Sequence, residues 1–359
     1  MTAADTAPPA PSPAPPPVPS AAPSTVRAQG LRRAAGLVAI LLCLALVTLL
    51  SFMVGANPLP AAEVWRGLWR PDDSEASIIV HTLRIPRTVV GILVGAAFGV
   101  AGAVIQALTR NPLADPGILG VNAGAGFAVT LGVGLLGISG ITGYIWLAFL
   151  GAAAATVLVF MIGAAGRGSA SPVMLVLAGV ALGAVLTGFS TFLTLIDPGT
   201  FDALRNWGVG SIARTSLADT MQVVPFLVLG LLLSLMLGGA LNAIALGDDL
   251  AASLGTRILR TRILGVLTVT LLAGAGTALT GGIGFIGLMV PHVVRWMVGP
   301  DQRWIIAYSA LAAPVIVLAA DVAGRVLGRP GEIEVGIMTA VIGAPVLIAL
   351  VRRRRVSGL

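Results

Sequence analysis

Long apolar runs separated by short polar segments divide the chain into about ten predicted membrane-spanning helices. The run from Thr88 to Thr109 is uncharged for 22 residues, about the length that a helix needs to cross a membrane. Residues 116–166 are uncharged for 51 residues, which predicts two crossings with a turn at 139–143. The predicted spans are 35–55, 86–108, two within 116–166, 172–196, 220–240, two within 263–294 on either side of Gly281-Gly282, 305–321 and 335–351.

Two segments outside these spans have compositions of their own. Residues 1–30 are rich in proline, alanine and serine and carry almost no charge, so they cannot pack a core and are predicted to form a disordered tail. One transmembrane domain, 31–359, follows. Residues 57–80 are polar and contain Trp65 and Trp69 at helical spacing, which predicts a short helix at the membrane interface.

The composition supports an all-α, polytopic integral membrane protein. Apolar residues make up 57% of the chain and charged residues 10%, whereas a soluble domain is about a quarter charged. All 22 basic residues are arginine, so the chain has neither the lysine of a phosphate-binding P-loop nor a Schiff-base lysine. The only cysteine, Cys43, excludes an internal disulfide.

The arginines follow the pattern of membrane topology rather than that of a nucleic-acid groove, because they lie singly or in pairs between apolar runs. Ten spans put both termini on one side. If that side is the cytoplasm, 14 of the 22 arginines are inside and 8 outside, which satisfies the positive-inside rule. We therefore predict cytoplasmic termini. Spans 2–5 and 7–10 both begin with a glycine-rich helix and run in opposite directions, which indicates a faint inverted repeat.

Two blocks combine unusual residues at fixed spacing. In the first, glycines mostly four apart form a stripe on one face of span two, and Gln106 precedes the string Arg-Asn-Pro-Leu-Ala-Asp-Pro at 110–116. The stripe consists of Gly91, Gly95, Gly99 and Gly102. The second block has Gly-Phe-Ile-Gly-Leu at 284–288 and Pro-His-x-x-Arg at 291–295. Over residues 35–355, the chain resembles the FecCD-like permease subunits of ABC importers for iron-siderophores, heme and cobalamin.

Three shorter strings extend this resemblance. Trp-x-x-Gly-Ser occurs at 207–211, and Ala-Asp-x-x-x-Arg at 320–325 predicts an ion pair between Asp321 and Arg325. Glu334 stands where many members of the family have proline. In this respect, the chain is more similar to the ferric-enterobactin-type branch of the family than to the cobalamin branch.

The resemblance implies a permease that carries a ferric siderophore across the cytoplasmic membrane, with cobalamin or heme as the alternative cargo. It implies a second permease subunit, identical or paralogous, an extracytoplasmic substrate-binding protein and cytoplasmic ATPase subunits. ATP and Mg would be bound by the ATPase. No cofactor, metal site or catalytic activity is expected in this chain, and its other contacts would be with lipid rather than nucleic acid.

Three functional surfaces are expected, and the resemblance implies the first two. Arginines at the outer face would pair with glutamates of the binding protein: Arg84, Arg87 and Arg325. A short amphipathic helix between two spans would plug into the ATPase as a coupling helix: Leu246, Gly247, Asp248, Leu250, Ala251, Leu254 and Gly255. Weakly polar residues of span five would line the translocation path: Thr187, Ser190, Thr191 and Thr194.

Each assignment has a plainer alternative. The arginines could be interfacial anchors whose charged ends reach the headgroups, and the short helix could rest on lipid. His292 lacks nearby acidic or histidine partners in the sequence, which favours a structural role over proton relay or metal binding. An ion-coupled transporter would need ionisable groups within its spans, whereas here the charges lie at span ends. Neither His-Glu-x-x-His nor Gly-x-Ser-x-Gly occurs, which argues against an intramembrane enzyme.

Overall fold

The computed structural model describes residues 23–138, 140–164 and 172–352, and all regular structure within these ranges is helical. The α-helices are α1 Pro23–Met53, α2 Ala61–Trp69, α3 Glu75–Ile79, α4 Ile85–Thr109, α5 Val121–Leu136, α6 Ile141–Ala164, α7 Pro172–Ile196, α8 Pro198–Gly208, α9 Leu217–Ala245, α10 Asp248–Ser253, α11 Ile258–Thr280, α12 Ile286–Val298, α13 Gln302–Leu327 and α14 Val335–Arg352. A π-helical turn, Val80–Arg84, precedes α4, and a 3-10 turn, Pro116–Leu119, precedes α5.

Ten apolar helices lie where the ten spans were predicted. Among the described residues, 7 helices are long and apolar enough to cross a membrane, and α5, α12 and α14 are shorter apolar helices. The all-α polytopic fold is thus confirmed, while the number of ten crossings stays a prediction. In the two halves of the predicted repeat, α4–α6 and α11–α13 share the order long, short, long, whereas the fourth helix is long in α7 and shorter in α14. The inverted repeat stays a prediction.

Several predicted boundaries can be compared directly with the helices. The break at Gly281-Gly282 is confirmed, because α11 ends at Thr280 and Gly281 has a left-handed φ of 72°. The predicted interfacial helix around Trp65 and Trp69 is α2. Helix α1 begins at Pro23, inside the segment 1–30 that was predicted to be a disordered tail, and residues 1–22 lie outside the described part of the chain.

Helix α4 lies at the centre of the protein, with 20 of its 25 residues buried. Its glycine stripe packs against α13 and α12, which confirms the role predicted for these residues. A Cβ atom at Gly95 would lie 2.7 Å from Cα of Pro314, and one at Gly102 would overlap the carbonyl group of Gly287. Only glycine permits the backbones to approach so closely.

The same part of α4 also supplies a hydrogen-bond donor to α12. Pro291 has no N–H, so the carbonyl oxygen of Gly287, four residues earlier, lacks its usual helical donor. The fully buried Gln106 fills this role, since its Nε2 lies 3.2 Å from Gly287 O and 3.0 Å from Leu288 O. The side chain of Gln106 and the close approach of the two backbones therefore both join α4 to the start of α12.

We predict that Gly102→Ala destabilises the protein by about 1–3 kcal/mol, because the added methyl group would overlap backbone atoms that cannot move independently. The measurement is the thermal unfolding midpoint of the purified protein in detergent. Gly188→Ala in α7 is the control, since no neighbouring atom lies within 4 Å of the position that its Cβ would take. That variant should be neutral or stabilised by up to about 1 kcal/mol. Equal midpoints for the two variants would contradict the packing role of Gly102.

Candidate functional site: charged clusters at the two ends of α4

The three arginines predicted to dock a binding protein come together beside the N-terminus of α4. Arg84, Arg87 and Arg325 line a cavity of about 370 Å³ together with Glu332 and residues that follow α1. Their residues are 4%, 8% and 2% exposed, respectively. The guanidinium groups thus point into the protein, and their polar contacts with its own groups fix their positions.

Asp321 forms the centre of this arginine cluster, which we define as Arg84, Arg87, Asp321, Arg325 and Glu332. The side chain of Asp321 is completely buried and lies 2.6 Å from Nη2 of Arg87 and 2.7 Å from Nη2 of Arg325. The predicted Asp321–Arg325 ion pair is therefore confirmed. Arg87 also lies 2.6 Å from Glu332, whose side chain is 33% exposed. Three cations against two carboxylates leave a formal charge of +1.

Two arginines of the cluster bind the C-terminal end of α1, where the last carbonyl groups of a helix lack intrahelical donors. Arg84 Nη1 donates to the carbonyl oxygens of Phe52 at 2.6 Å and Met53 at 3.0 Å. Arg325 Nη1 donates to those of Ser51 at 3.0 Å and Val54 at 2.6 Å. A positive charge at this end also complements the helix dipole. The cluster consequently joins α1, α4 and α13.

This geometry excludes one of the two predicted roles of the arginines. An interfacial anchor extends its charged end into the headgroup region, whereas these three guanidinium groups are buried and bonded within the chain. The anchor interpretation is therefore wrong. Docking stays a prediction, and the structure adds that an incoming carboxylate would have to enter the cavity between Arg84 and Glu332.

The predicted coupling helix is α10, at the opposite end of α4. Gly247 and Gly255 flank it with left-handed φ angles of 107° and 79°, which lets the chain turn sharply between α9 and α11. Leucines spaced four residues apart project outward: Leu246, Leu250 and Leu254 are 59%, 57% and 66% exposed. This row of leucines is an apolar face that no described part of the chain covers.

Ala251 does not belong to that exposed face, contrary to the sequence-based assignment. It is completely buried, and its carbonyl oxygen accepts a hydrogen bond of 2.9 Å from Thr256 N. Because α10 is amphipathic, the position after Leu250 points inward and packs the helix against its own chain. Replacement of Ala251 would disturb α10 itself and would not test a partner contact cleanly.

Asp248 connects α10 to two long helices. One carboxylate oxygen lies 2.8 Å from Nη2 of Arg262 in α11, and the other lies 3.8 Å from Nη2 of Arg110, the residue that follows α4. The side chains of Asp248 and Arg110 are 30% and 34% exposed, whereas that of Arg262 is 5% exposed. Arg110 itself adopts a left-handed φ of 50°.

The residues predicted to line a translocation path lie on α7, which is largely exposed. Thr187 and Thr191 are on the exposed surface of this helix, one turn apart. Ser190 and Thr194 are half-buried, and their hydroxyl groups donate to Leu186 O at 2.9 Å and Ser190 O at 2.8 Å within the helix. A surface of this kind offers small side chains and few free polar groups, and its role stays a prediction.

His292 is buried in α12 and lies edge-on to Trp296, with ring centroids 5.1 Å apart. Within the described ranges, no group of three or more histidine, cysteine or acidic residues could hold a metal ion. The structural role favoured for this histidine stays a prediction.

Comparison with known proteins identifies the family of the chain. The model of the FecCD transport family matches residues 42–353, nearly the whole of the described chain. This chain belongs to the FecCD transport family.

Relatives and solved structures support this membership over most of their length. The ferric enterobactin permease FepD of Escherichia coli is 47% identical over 328 residues, 91% of this chain and 97% of the relative. The Fe(3+)-citrate permease YfmD of Bacillus subtilis is 39% identical, covering 85% of this chain and 91% of the relative. A metal-chelate type ABC transporter in an inward-facing conformation matches with a TM-score of 0.77 and 27% identity, over 88% of this chain and 98% of that one. The FecCD chain is therefore a multi-pass membrane permease subunit.

Two features of the FecCD chain escaped the sequence-based interpretation. Glu332 pairs with Arg87, which lies 245 positions earlier in the sequence. Arg110, which follows α4, pairs with Asp248 at the start of α10. Neither spacing follows a helical period, so no local pattern links these residues. The available signal was the position of each charged residue within two residues of a glycine or proline.

We predict that Asp321→Ala destabilises the protein by about 3–5 kcal/mol, because it leaves Arg87 and Arg325 buried without their shared carboxylate. Glu332→Ala, whose side chain is partly solvent-exposed, should cost only about 1 kcal/mol or less. Membrane abundance and the thermal unfolding midpoint in detergent measure the difference. A destabilisation by Glu332→Ala as large as that by Asp321→Ala would show that Asp321 is not the centre of the cluster.

Proposed function

We propose that this chain is the permease subunit of a binding-protein-dependent ABC importer that carries a ferric siderophore into the cytoplasm. The main observation in support is the exposed row of leucines on α10, which lies between two long helices. The sequence of the chain contains no nucleotide-binding motif. Such a chain must obtain the energy of ATP from another subunit. ATP and Mg would be bound there, and both termini of this chain would share the cytoplasmic side with α10.

A cytoplasmic ATPase is the partner that fits α10. The helix has 6 residues, too few for stability on its own, and it holds its shape through buried Ala251 and the ion pairs of Asp248. Its leucines repeat every four residues, the spacing by which a helix enters an apolar groove. Contact with an ATPase would remove this apolar face from water and transmit domain motion to α9 and α11.

An extracytoplasmic binding protein would dock at the arginine cluster. The formal charge of +1 and the cavity favour an acidic residue of the partner, because a guanidinium group binds a carboxylate in a bidentate manner. Glu332 already occupies Arg87 and is partly exposed. A glutamate of the binding protein would compete with Glu332 for this guanidinium group, while Asp321 continues to stabilise the cluster from below.

A second permease subunit, identical or paralogous, would cover α7 and form the path with it. Thr187 and Thr191 would then face the passing cargo as small, weakly polar groups. A path of this kind binds its cargo weakly, which allows release to the cytoplasm. The names of the two relatives given above both refer to iron chelates, which favours a ferric siderophore over cobalamin or heme.

We predict that Glu332→Gln raises the affinity for the cargo-loaded binding protein about two- to fivefold, because it frees Arg87 and raises the formal charge of the cluster to +2. The affinity would be measured in nanodiscs at several salt concentrations, and the gain should shrink as salt screens the charges. Glu334→Gln is the matched control, since Glu334 pairs instead with exposed Arg214 at 3.4 Å. Unchanged affinity of Glu332→Gln at low salt would place docking elsewhere.

Transport itself tests the proposed function. Vesicles that contain the permease, the ATPase and internal ATP should accumulate a ferric siderophore presented by the binding protein, and a protonophore should not stop them. Leu250→Glu should abolish uptake and ATPase binding, because it puts a charge in the apolar contact. Leu327→Glu makes the same change at an exposed leucine of the opposite end and should leave ATPase binding intact.

Two results would contradict this proposal. Uptake that stops with the protonophore while ATP stays high would favour an ion-coupled transporter. ATPase binding that survives Leu250→Glu would remove the coupling role of α10.

A further inference from the structure

We propose that the ion cluster Arg110–Asp248–Arg262 couples the ATPase-contacting helix α10 to the central helix α4, with Asp248 as the positioning residue. This inference rests on the proposed function, since it assumes that α10 contacts an ATPase. It assigns to these three charged side chains a role in transmission, distinct from the direct contact made by the leucines of α10.

The contacts of Asp248 differ in strength. Arg262 is 5% exposed and holds one carboxylate oxygen at 2.8 Å, so this pair fixes the start of α10 to α11. Arg110 is 34% exposed, and its Nη2 lies 3.8 Å from the other carboxylate oxygen, which is buried and has no hydrogen-bond partner among the described residues. At this distance the pair lacks a hydrogen bond, so it is weaker than the pair with Arg262 and can shorten when α10 moves toward α4. Asp248 therefore has a short ion pair with Arg262 and a longer ion pair with Arg110, whose length can change.

The backbone conformation of Arg110 places its side chain close to Asp248. Arg110 follows α4 in a left-handed conformation, which turns its side chain back toward Gly247 and Asp248. A Cβ atom at Gly247 would lie 3.7 Å from Nη1 of Arg110. The guanidinium group thus lies over the first residues of α10. A displacement of α10 would therefore change the distance between Asp248 and Arg110.

Helix α4 can carry such a displacement across the protein. Its 25 residues span about 37 Å, and 20 of them are buried in close-packed contacts, which transmit strain along the helix instead of absorbing it. Its other end begins next to Arg84 and carries Arg87 of the arginine cluster. One stiff element consequently joins the cluster proposed for binding-protein docking to the cluster that holds α10.

The experiment compares ATP turnover with and without saturating cargo-loaded binding protein, in nanodiscs that contain the permease and saturating ATPase. The measured quantity is the ratio of stimulated to basal turnover. We expect Asp248→Asn and Arg110→Gln to lower this ratio roughly fivefold or more, the lower range of coupling between distant sites. Asp248→Glu retains the charge and should restore most of the stimulation, which a loss of packing alone would not allow.

Asp249→Asn is the matched control, because it removes the same charge from the neighbouring, exposed residue of α10. It should leave the ratio at the wild-type value. If Asp248→Asn fails to insert, Arg110→Gln decides, since this partly exposed side chain contributes little to folding. The proposal is overturned if both Asp248→Asn and Arg110→Gln keep the wild-type ratio, or if Asp249→Asn lowers it equally. Failure of the wild-type permease to bind the ATPase would instead overturn the proposed function.

A spin label provides a second, independent readout. With Cys43 replaced by alanine, a label at Ser253, an exposed residue of α10, should become more mobile in Asp248→Asn and remain unchanged in Asp249→Asn. Equal mobility in both variants would show that Asp248 does not hold the helix, and would overturn the proposal as well.

Discussion

The close approach of α4 to its neighbours is the constraint on which the rest of the structure depends. Glycines at the contact bring the backbone of α4 against α12 and α13, and lipid supplies no hydrophobic force that could replace such packing. A helix fixed in this way on several sides keeps the relative positions of its two ends. The charged clusters at these ends therefore have a defined geometry, although both contain residues from distant parts of the sequence.

Charge is distributed along α4 in a way that follows from the cost of burying it. The helix has no charged residue between Arg87 and its end, and the donors that it buries, such as the amide nitrogen of Gln106 and the hydroxyl group of Thr109, are hydrogen-bonded to carbonyl oxygens. Arg87 is buried but has two carboxylate partners. An unpaired charge in the same position would cost several kcal/mol. Function that depends on charge is thus restricted to the ends, where partners and water are available.

The sequence predicted the helices well because membrane spans are determined by local composition. The glycine stripe and the break at Gly281 could be predicted equally well, since close packing and positive φ both depend on residue type. The direction in which a side chain points was harder to predict. An arginine at the end of a span can reach toward headgroups or turn inward. Local spacing indicated the pairing of Arg325 with Asp321, but for Arg87 the same carboxylate lies 234 positions away in the sequence. Ala251 was misassigned for the same reason, because its burial depends on tertiary contacts of α10.

The hydrogen bond between Gln106 and α12 gives a physical reason for the two sequence blocks that carry the family resemblance. At membrane depth, an interrupted helix is tolerated only if its freed backbone groups find partners within the protein. Pro291 deprives the carbonyl oxygen of Gly287 of its helical donor, and Gln106, 181 residues away, supplies another. The side chain can reach this oxygen only because Gly102, one turn earlier, lets the two helices touch. Glycine and glutamine in the first block and glycine and proline in the second are therefore parts of a single contact.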